Sequence, residues 1–234
     1  MAIPTYLAMT AAEFQKYSQD SGPIAWMACH FSPYSTGLAN LPAALPEGSL
    51  LIVNDRIPYC GHDPSRISLQ LQQTLDALGC SGIILDFQRE GSEAMGGLAD
   101  ALISSLPCPV AVSDRYAGNL ACAVFLSPCP HHESLKNHIS PWHGRDIWLD
   151  LAVDAESITL TDSGAVMLPL PLGECPEAGH GDKHLHCHYS IETSPHSARF
   201  TLWRTREDLT AMAREAEELG VKAMVGLYQE LREN

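Results

Sequence analysis

Residues 82–87 read Gly-Ile-Ile-Leu-Asp-Phe, an apolar run with no polar alternation until an acid closes it. A strand with one wet face alternates apolar and polar side chains. A strand covered on both faces does not, and parallel sheets flanked by helices are where both faces are routinely covered. Runs of this kind recur at 23–31, 49–55, 108–114, 123–127, 146–153 and 221–228. The chain is thereby constrained to a sheet buried between helices, and its 45% apolar content is enough to fill such a core.

Helical patterns separate the runs. Asp63 followed by Pro64 reads as a cap with proline in the first turn. Ile67, Leu71, Leu75 and Leu78 form one stripe before Gly79 ends the helix. Ser92 can cap a helix whose buried side is Met95, Leu98, Leu102 and Leu106, with Pro107 beyond it. Thr205 caps another, with Leu209, Met212, Ala216 and Leu219 inward and Gly220 as the stop. Thr10 and Glu13 make a capping box that predicts a helix over 11–19. Residues 131–139 predict a short helix that starts at His131 and His132.

About eight strands with helical crossovers predict an α/β protein: a (β/α)₈ barrel in one domain, residues 1–234, with an N-terminal helical segment over 1–22. Only residues 115–122 separate two of the strands. A parallel crossover usually takes about a dozen residues, which leaves a distorted or incomplete form of the ring open. The alternative is an open doubly wound sheet, although no glycine-rich dinucleotide turn follows any strand.

The last third differs. Residues 157–168 alternate around Asp162-Ser163-Gly164, a hairpin pattern. Residues 169–183 are rich in Pro and Gly and predict a loop, and a second hairpin turns at Ser194–Ser197. Together these make a hairpin-rich insertion over 153–204.

Charge narrows the partners. A formal net charge of −14 with few, scattered basic residues repels nucleic acid and anionic membranes alike. A small molecule or saccharide is the expected ligand. No stretch of 18 apolar residues is present to span a bilayer. The N-terminal residues lack a basic start before a long apolar run, so the expected compartment is the cytoplasm. Eight cysteines include no CxxC pair, and Cys80, Cys108 and Cys122 border apolar runs, so free thiols are expected.

Barrel chemistry gathers at the carboxyl ends of the strands. Those ends carry His30, Asp55, Asp86, Gln88, Asp114, and Tyr228 or Gln229. Converging acids can split their pKa values and leave one protonated. Asp114 can equally cap the following helix, or pair with Arg56 or Arg115.

Residues 80–102, Cys-Ser-Gly-Ile-Ile-Leu-Asp-Phe-Gln-Arg-Glu and the helical pattern after them, resemble the fourth-strand signature of glycoside hydrolase family 18, the chitinase-like barrels. That signature is D-G-x-D-x-D-x-E. Gly82 and Asp86 match it; Ser81, Ile84 and Gln88 stand where it has two aspartates and the closing glutamate. Only two strands are evident before this run, where the family has three. Residues 189–231 are similar to the closing segment of the spore-cortex and germination branch, a hairpin with a Trp, a helix and a last strand with an aromatic. Trp203 matches the hairpin Trp, and Tyr228 falls where the family usually has Trp.

The resemblance implies substrate-assisted cleavage of N-acetylglucosamine-type glycans. The sugar's acetamido oxygen attacks its own anomeric carbon, an Asp orients that group, and the Glu protonates the leaving oxygen. On this chain Asp86 is the orienting acid and Gln88 occupies the donor position. His30, Asp55, Asp114, Trp203 and Tyr228 would bind substrate, with Trp26 a weaker candidate. An amide cannot supply the proton, and general acid catalysis contributes roughly 10²–10⁴-fold. Hydrolysis is therefore doubtful unless Glu90, Asp55 or Asp114 supplies the acid. A non-catalytic barrel that binds a saccharide or metabolite is the alternative.

His184, His186 and His188 would share one face if they lay on a strand, and a metal-dependent hydrolase is a third reading. No metal or other cofactor is expected. Cys60 with His62 is a weak thiol–imidazole pair, since neighbours two apart rarely act together. No phosphate-binding loop, nucleophile elbow or HExxH helix occurs.

Overall fold

The computed structural model describes residues 3–17, 22–89 and 93–232. The expectations for residues 18–19, for Ser92 as a cap and for Glu90 as an acid lie outside the described residues.

The first elements are β1 (Thr5–Met9), α1 (Ala11–Tyr17), β2 (Ile24–Phe31), the two-residue β3 (Leu38–Ala39) and β4 (Leu50–Asn54). They are followed by α2 (Pro64–Leu78), β5 (Gly82–Asp86), α3 (Glu93–Ser105), β6 (Val110–Ser113), α4 (Asp114–Ala117), β7 (Ala123–Leu126), α5 (Leu135–Ile139) and β8 (Ile147–Leu151). The antiparallel strands β9 (Ala155–Thr161), β10 (Gly164–Pro169), β11 (His180–Asp182), β12 (Cys187–Ser194) and β13 (Ser197–Trp203) come next. The chain closes with α6 (Arg206–Glu218), β14 (Ala223–Leu227) and α7 (Tyr228–Leu231).

Eight strands form a closed parallel ring in the order β1-β2-β4-β5-β6-β7-β8-β14, and β14 pairs again with β1. The ring is the expected (β/α)₈ barrel, and it is complete. The short crossover between β6 and β7 is met by a single helical turn, α4, and a reversal at Gly118, whose φ is +34°. Three ring strands, β1, β2 and β4, precede β5, not two. The missed strand is β1, only five residues long and directly followed by the Thr10–Glu13 capping box, which draws the eye to the helix instead.

Alternation along each strand sorts the core into two shells. Ala8, Ala25, Leu50, Ile52, Ile84, Ala111, Phe125, Trp148, Ala223 and Val225 fill the barrel interior. Odd-numbered partners on β4 and β5, such as Leu51, Val53, Ile83 and Leu85, pack outward with Ile67, Leu71, Leu98 and Leu102 of the helices. Asp63 caps α2 through Ser65 N, and Gly79 ends it in the left-handed region. Thr205 and Asp208 form a full capping box on α6.

Trp148 fills the floor of the barrel against Gly82. A Cβ at Gly82 would lie 2.8 Å from Trp148 Cη2 and 3.0 Å from the Pro109 carbonyl oxygen. This glycine, one of the two matches to the fourth-strand signature, is thus required by packing. Gly82→Ala is expected to cost about 1–3 kcal/mol of stability, as overpacking does. A thermal melt of the variant checks this, and an unchanged midpoint refutes it.

The second sheet, β10-β9-β13-β12-β11, lies in chain order between β8 and α6. Both expected hairpins are present, with Ser194 paired to Ser197 at the second turn. Two expectations fail here. Residues 169–183 are not all loop, because a 3₁₀ turn (Leu172–Glu174) and β11 lie within them. His184, His186 and His188 do not share a strand face. Residues 183–186 form a turn, His186 has φ +49°, and β12 starts only at Cys187. The rings then diverge: His186 bonds Glu215 of α6, His188 Nδ1 lies 3.0 Å from Asp208 Oδ2, and His184 is exposed. Among the described residues no group of three His, Cys, Asp or Glu side chains is placed to hold a metal ion.

His131 and His132 precede α5, whose cap is Ser134. His131 is instead buried between Asp154 and Glu156, at 3.2 and 3.4 Å. The cysteines are free thiols. No helix among the described residues is long and apolar enough to cross a membrane.

Candidate functional site

At the carboxyl ends of the ring strands a cavity of about 640 Å³ opens. Its lining includes Asp86, Gln88, Asp55, Asn54, Asn40 and Asp150. The alternation that places Ile52 and Ile84 inside also places Asn54 and Asp86 one step higher on the same inner face. Gln88 continues that phase just past the strand. Asp86 and Gln88 therefore meet at the mouth, as the strand-end reading required.

Their contact is direct. Gln88 Nε2 donates to Asp86 Oδ1 at 2.6 Å. Burial raises the pKa of Asp86 above the usual carboxylate range; the Gln88 amide opposes this, and the nearby charges of Asp55 and Asp114 add to it. The amide thus favours the ionised form of the acid it touches.

Asp55 also lines the cavity, but both its oxygens are already committed. They accept from the backbone N–H groups of Gln88 (3.1 Å) and Arg89 (2.9 Å). Arg89 returns the contact, donating from Nε to the Asp55 carbonyl and from Nη2 to the Arg56 carbonyl. Ser113 Oγ holds the Phe87 carbonyl, and Tyr116 holds the Arg89 carbonyl. These bonds fix the segment that carries Gln88. Asp55 is a positioning residue here, not a free acid.

The remaining expected residues spread around the rim or away from it. His30 does not line the cavity; its Nδ1 donates to the Phe31 carbonyl and its Nε2 accepts from Nδ2 of Asn40, which does line it. Asp114 starts α4, bonded to the Arg115 amide, and reaches the cavity only through its charge on Asp86. Neither it nor Arg56 or Arg115 is in an ion pair among the described residues.

Tyr228 and Trp203 do not line the cavity. On β14 the inward phase is Ala223, Val225 and Leu227, so Leu227 faces the opening. Tyr228, one step on, is buried in the outer core beneath Arg232. Trp203 packs over Gly179 and stacks on His188 in the second sheet. Trp26 lies in the outer core, edge-on to Phe14, and its Nε1 donates to the Asn40 carbonyl. Cys60 and His62 touch through the Cys60 backbone N–H, which shapes a loop.

Asp150 is the residue that the strand-end reading passed over. It is a lone acid in the apolar run 147–151, the same signal that marks Asp86 in 82–87. Burial pushes its carboxyl well above the usual range, and the charges of Asp86 and Glu230 add to the effect. Asn54 was passed over because an amide at a strand end is less conspicuous than an acid. Its Nδ2 donates to the Met27 and Cys29 carbonyls, at the irregularity in β2.

A hollow of about 780 Å³ lies at the opposite end of the ring, around Val110, Ala123 and Trp148. Its arginine, Arg145, is engaged by the carbonyls of Gly118, Leu120 and Cys122. None of the candidate residues borders it.

No family model and no curated protein sequence matches the chain. Solved structures do. The spore cortex-lytic enzyme SleL of Bacillus megaterium superposes with a TM-score of 0.59 at 10% identity, over 96% of this chain and 70% of that one. The chitinase-like agglutinin of Robinia pseudoacacia gives 0.63 at 12% identity, over 100% and 96%. A family 18 chitinase of Cycas revoluta, a variant that includes a glutamate-to-glutamine change and was solved with (GlcNAc)₄, gives 0.60 at 10% identity, over 96% and 94%. The closed parallel ring described above is thus the barrel fold shared by family 18 chitinases and chitinase-like proteins.

Proposed function

We propose that the mouth of this barrel binds a saccharide containing an N-acetylglucosamine-type unit and turns it over poorly or not at all. The observation that carries this reading is the Asp86–Gln88 contact inside the cavity. Asp86 is a desolvated carboxylate held beside an amide. It is suited to accept a hydrogen bond from an acetamido N–H, which is the role that the resemblance gives it. Gln88 keeps a hydrogen-bonding group at the donor position without a transferable proton. An uncharged sugar also suits a chain of net charge −14 better than an anionic ligand does.

Two of the superposed structures support the reading. One is described as an agglutinin, and one holds (GlcNAc)₄ in a variant with glutamine replacing a glutamate. Calorimetric titration with (GlcNAc)₄ tests the proposal. Saturable binding is expected, lost in Asp86→Ala, with no release of chromophore from a chitobioside at the same protein concentration. Absence of binding, or turnover at the rate of an active chitinase, overturns it.

A further inference from the structure

Besides Asp55, whose oxygens are committed to backbone amides, two carboxyls line one mouth, and among the described residues no cation pairs with either. Asp86 stands on β5 and Asp150 on β8, and both line the cavity. Neither is in an ion pair among the described residues. Of the rim arginines, Arg89 is bonded to backbone carbonyls and Arg56 is exposed.

The strands flanking Asp150 offer it nothing polar: β7 presents Phe125 to the cavity, and β14 presents Val225, its register partner. The Leu151 amide is its one hydrogen-bonding neighbour among the described residues. The titratable groups that act on it are all acids: Asp86 across the barrel, Glu230 on α7, and Asp154 just past β8. Like charges in a water-poor site cannot both form cheaply, so one carboxyl keeps its proton. Asp86 has an amide donor to stabilise its charge; Asp150 has no side-chain donor.

We propose that Asp150 stands in the mouth as a neutral acid and donates its O–H as a hydrogen bond to an acceptor oxygen of the bound sugar. This is a binding contact from the inner face of β8, and it does not replace the proton transfer that a glutamate at position 88 would supply. This inference rests on the saccharide reading for its ligand, but not for the state of the acid. Burial and the neighbouring carboxylates hold that acid protonated well above the usual range.

Two measurements separate the parts. The first needs no sugar. A carboxyl whose folded pKa is raised binds more protons folded than unfolded, so it lowers stability as pH rises from its unfolded pKa to its folded one. Asp150→Asn removes that slope. The advantage of the variant in melting temperature should therefore grow from pH 4 towards neutrality. A constant difference overturns the proposal whatever the sugar does.

The second is titration with (GlcNAc)₄ across the same range and above it. Wild-type affinity should fall by up to about tenfold per pH unit once pH passes the folded pKa of Asp150. Asp150→Asn, whose amide still donates, should bind within about threefold of the wild-type maximum and lose that dependence. Asp150→Ala should bind about tenfold more weakly, the size of one hydrogen bond. Unaltered pH dependence in Asp150→Asn overturns donation to the sugar. No binding at any pH, with diverging stability slopes, overturns the saccharide reading and leaves the proton on Asp150.

Discussion

Gln88→Glu should raise the turnover of a chromogenic chitobioside by about 10²–10⁴-fold, the ordinary contribution of a general acid. The site is built for the exchange. The segment that carries position 88 is fixed by both oxygens of Asp55, by Arg89, by Ser113 and by Tyr116, none of which the substitution touches. The replaced amide lies 2.6 Å from Asp86, so a carboxyl there shares a proton with its neighbour. Burial already raises the pKa of Asp86, and a second acid beside it would raise the affinity of the pair for one shared proton further. Adding Asp86→Asn to the Gln88→Glu protein should abolish the gain, because the acetamido group loses its partner. If Gln88→Glu binds (GlcNAc)₄ as tightly as the wild type and still releases no chromophore, the missing proton is not what silences this barrel.

The pair at 86 and 88 was legible because period-two alternation carries straight through an apolar strand to its end. The same rule, applied to 147–151, yields Asp150. It was obscured by the apolar residues on both sides of that acid, which make the run look like uninterrupted core. Trp203 and Tyr228 were not legible. Whether an aromatic at a strand end faces the opening depends on phase, and one step turns Leu227 inward and Tyr228 outward. The histidines failed for a related reason. Their spacing suits a strand, but the hairpin partner of β12 sets where the strand begins, and that information lies in residues 180–182. Ring closure was half legible. The runs predicted strands, but not that β1, five residues long, would seal β2 to β14. Local pattern specifies which face of an element is buried. It does not specify which distant element covers that face.

Arg204→Ala should cost about 3–5 kcal/mol, the penalty for removing one partner of a buried charged network. Arg204 is the largest fully buried side chain among the described residues, and it follows directly on β13. Its guanidinium donates to the carbonyls of Cys129, Pro130 and His186, and stands 3.7 Å from Asp154 Oδ1. Cys129 and Pro130 belong to the segment after β7, and His186 to the turn before β12. One side chain therefore ties the second sheet to the barrel. Truncation leaves three carbonyls without these donors and Asp154 beside His131 alone. In a chain of this size each kcal/mol moves the melting temperature by about 2–4 °C, so a drop of at least about 6 °C is expected. Arg204→Lys should recover little of it, because an ammonium cannot reproduce the planar fork that reaches three acceptors at once. Urea titration alongside the melts separates lost stability from lost cooperativity. A second, earlier transition in Arg204→Ala would show the hairpin sheet detaching before the ring opens, whereas a midpoint within about 2 °C of wild type would mean that the guanidinium only compensates for its own burial.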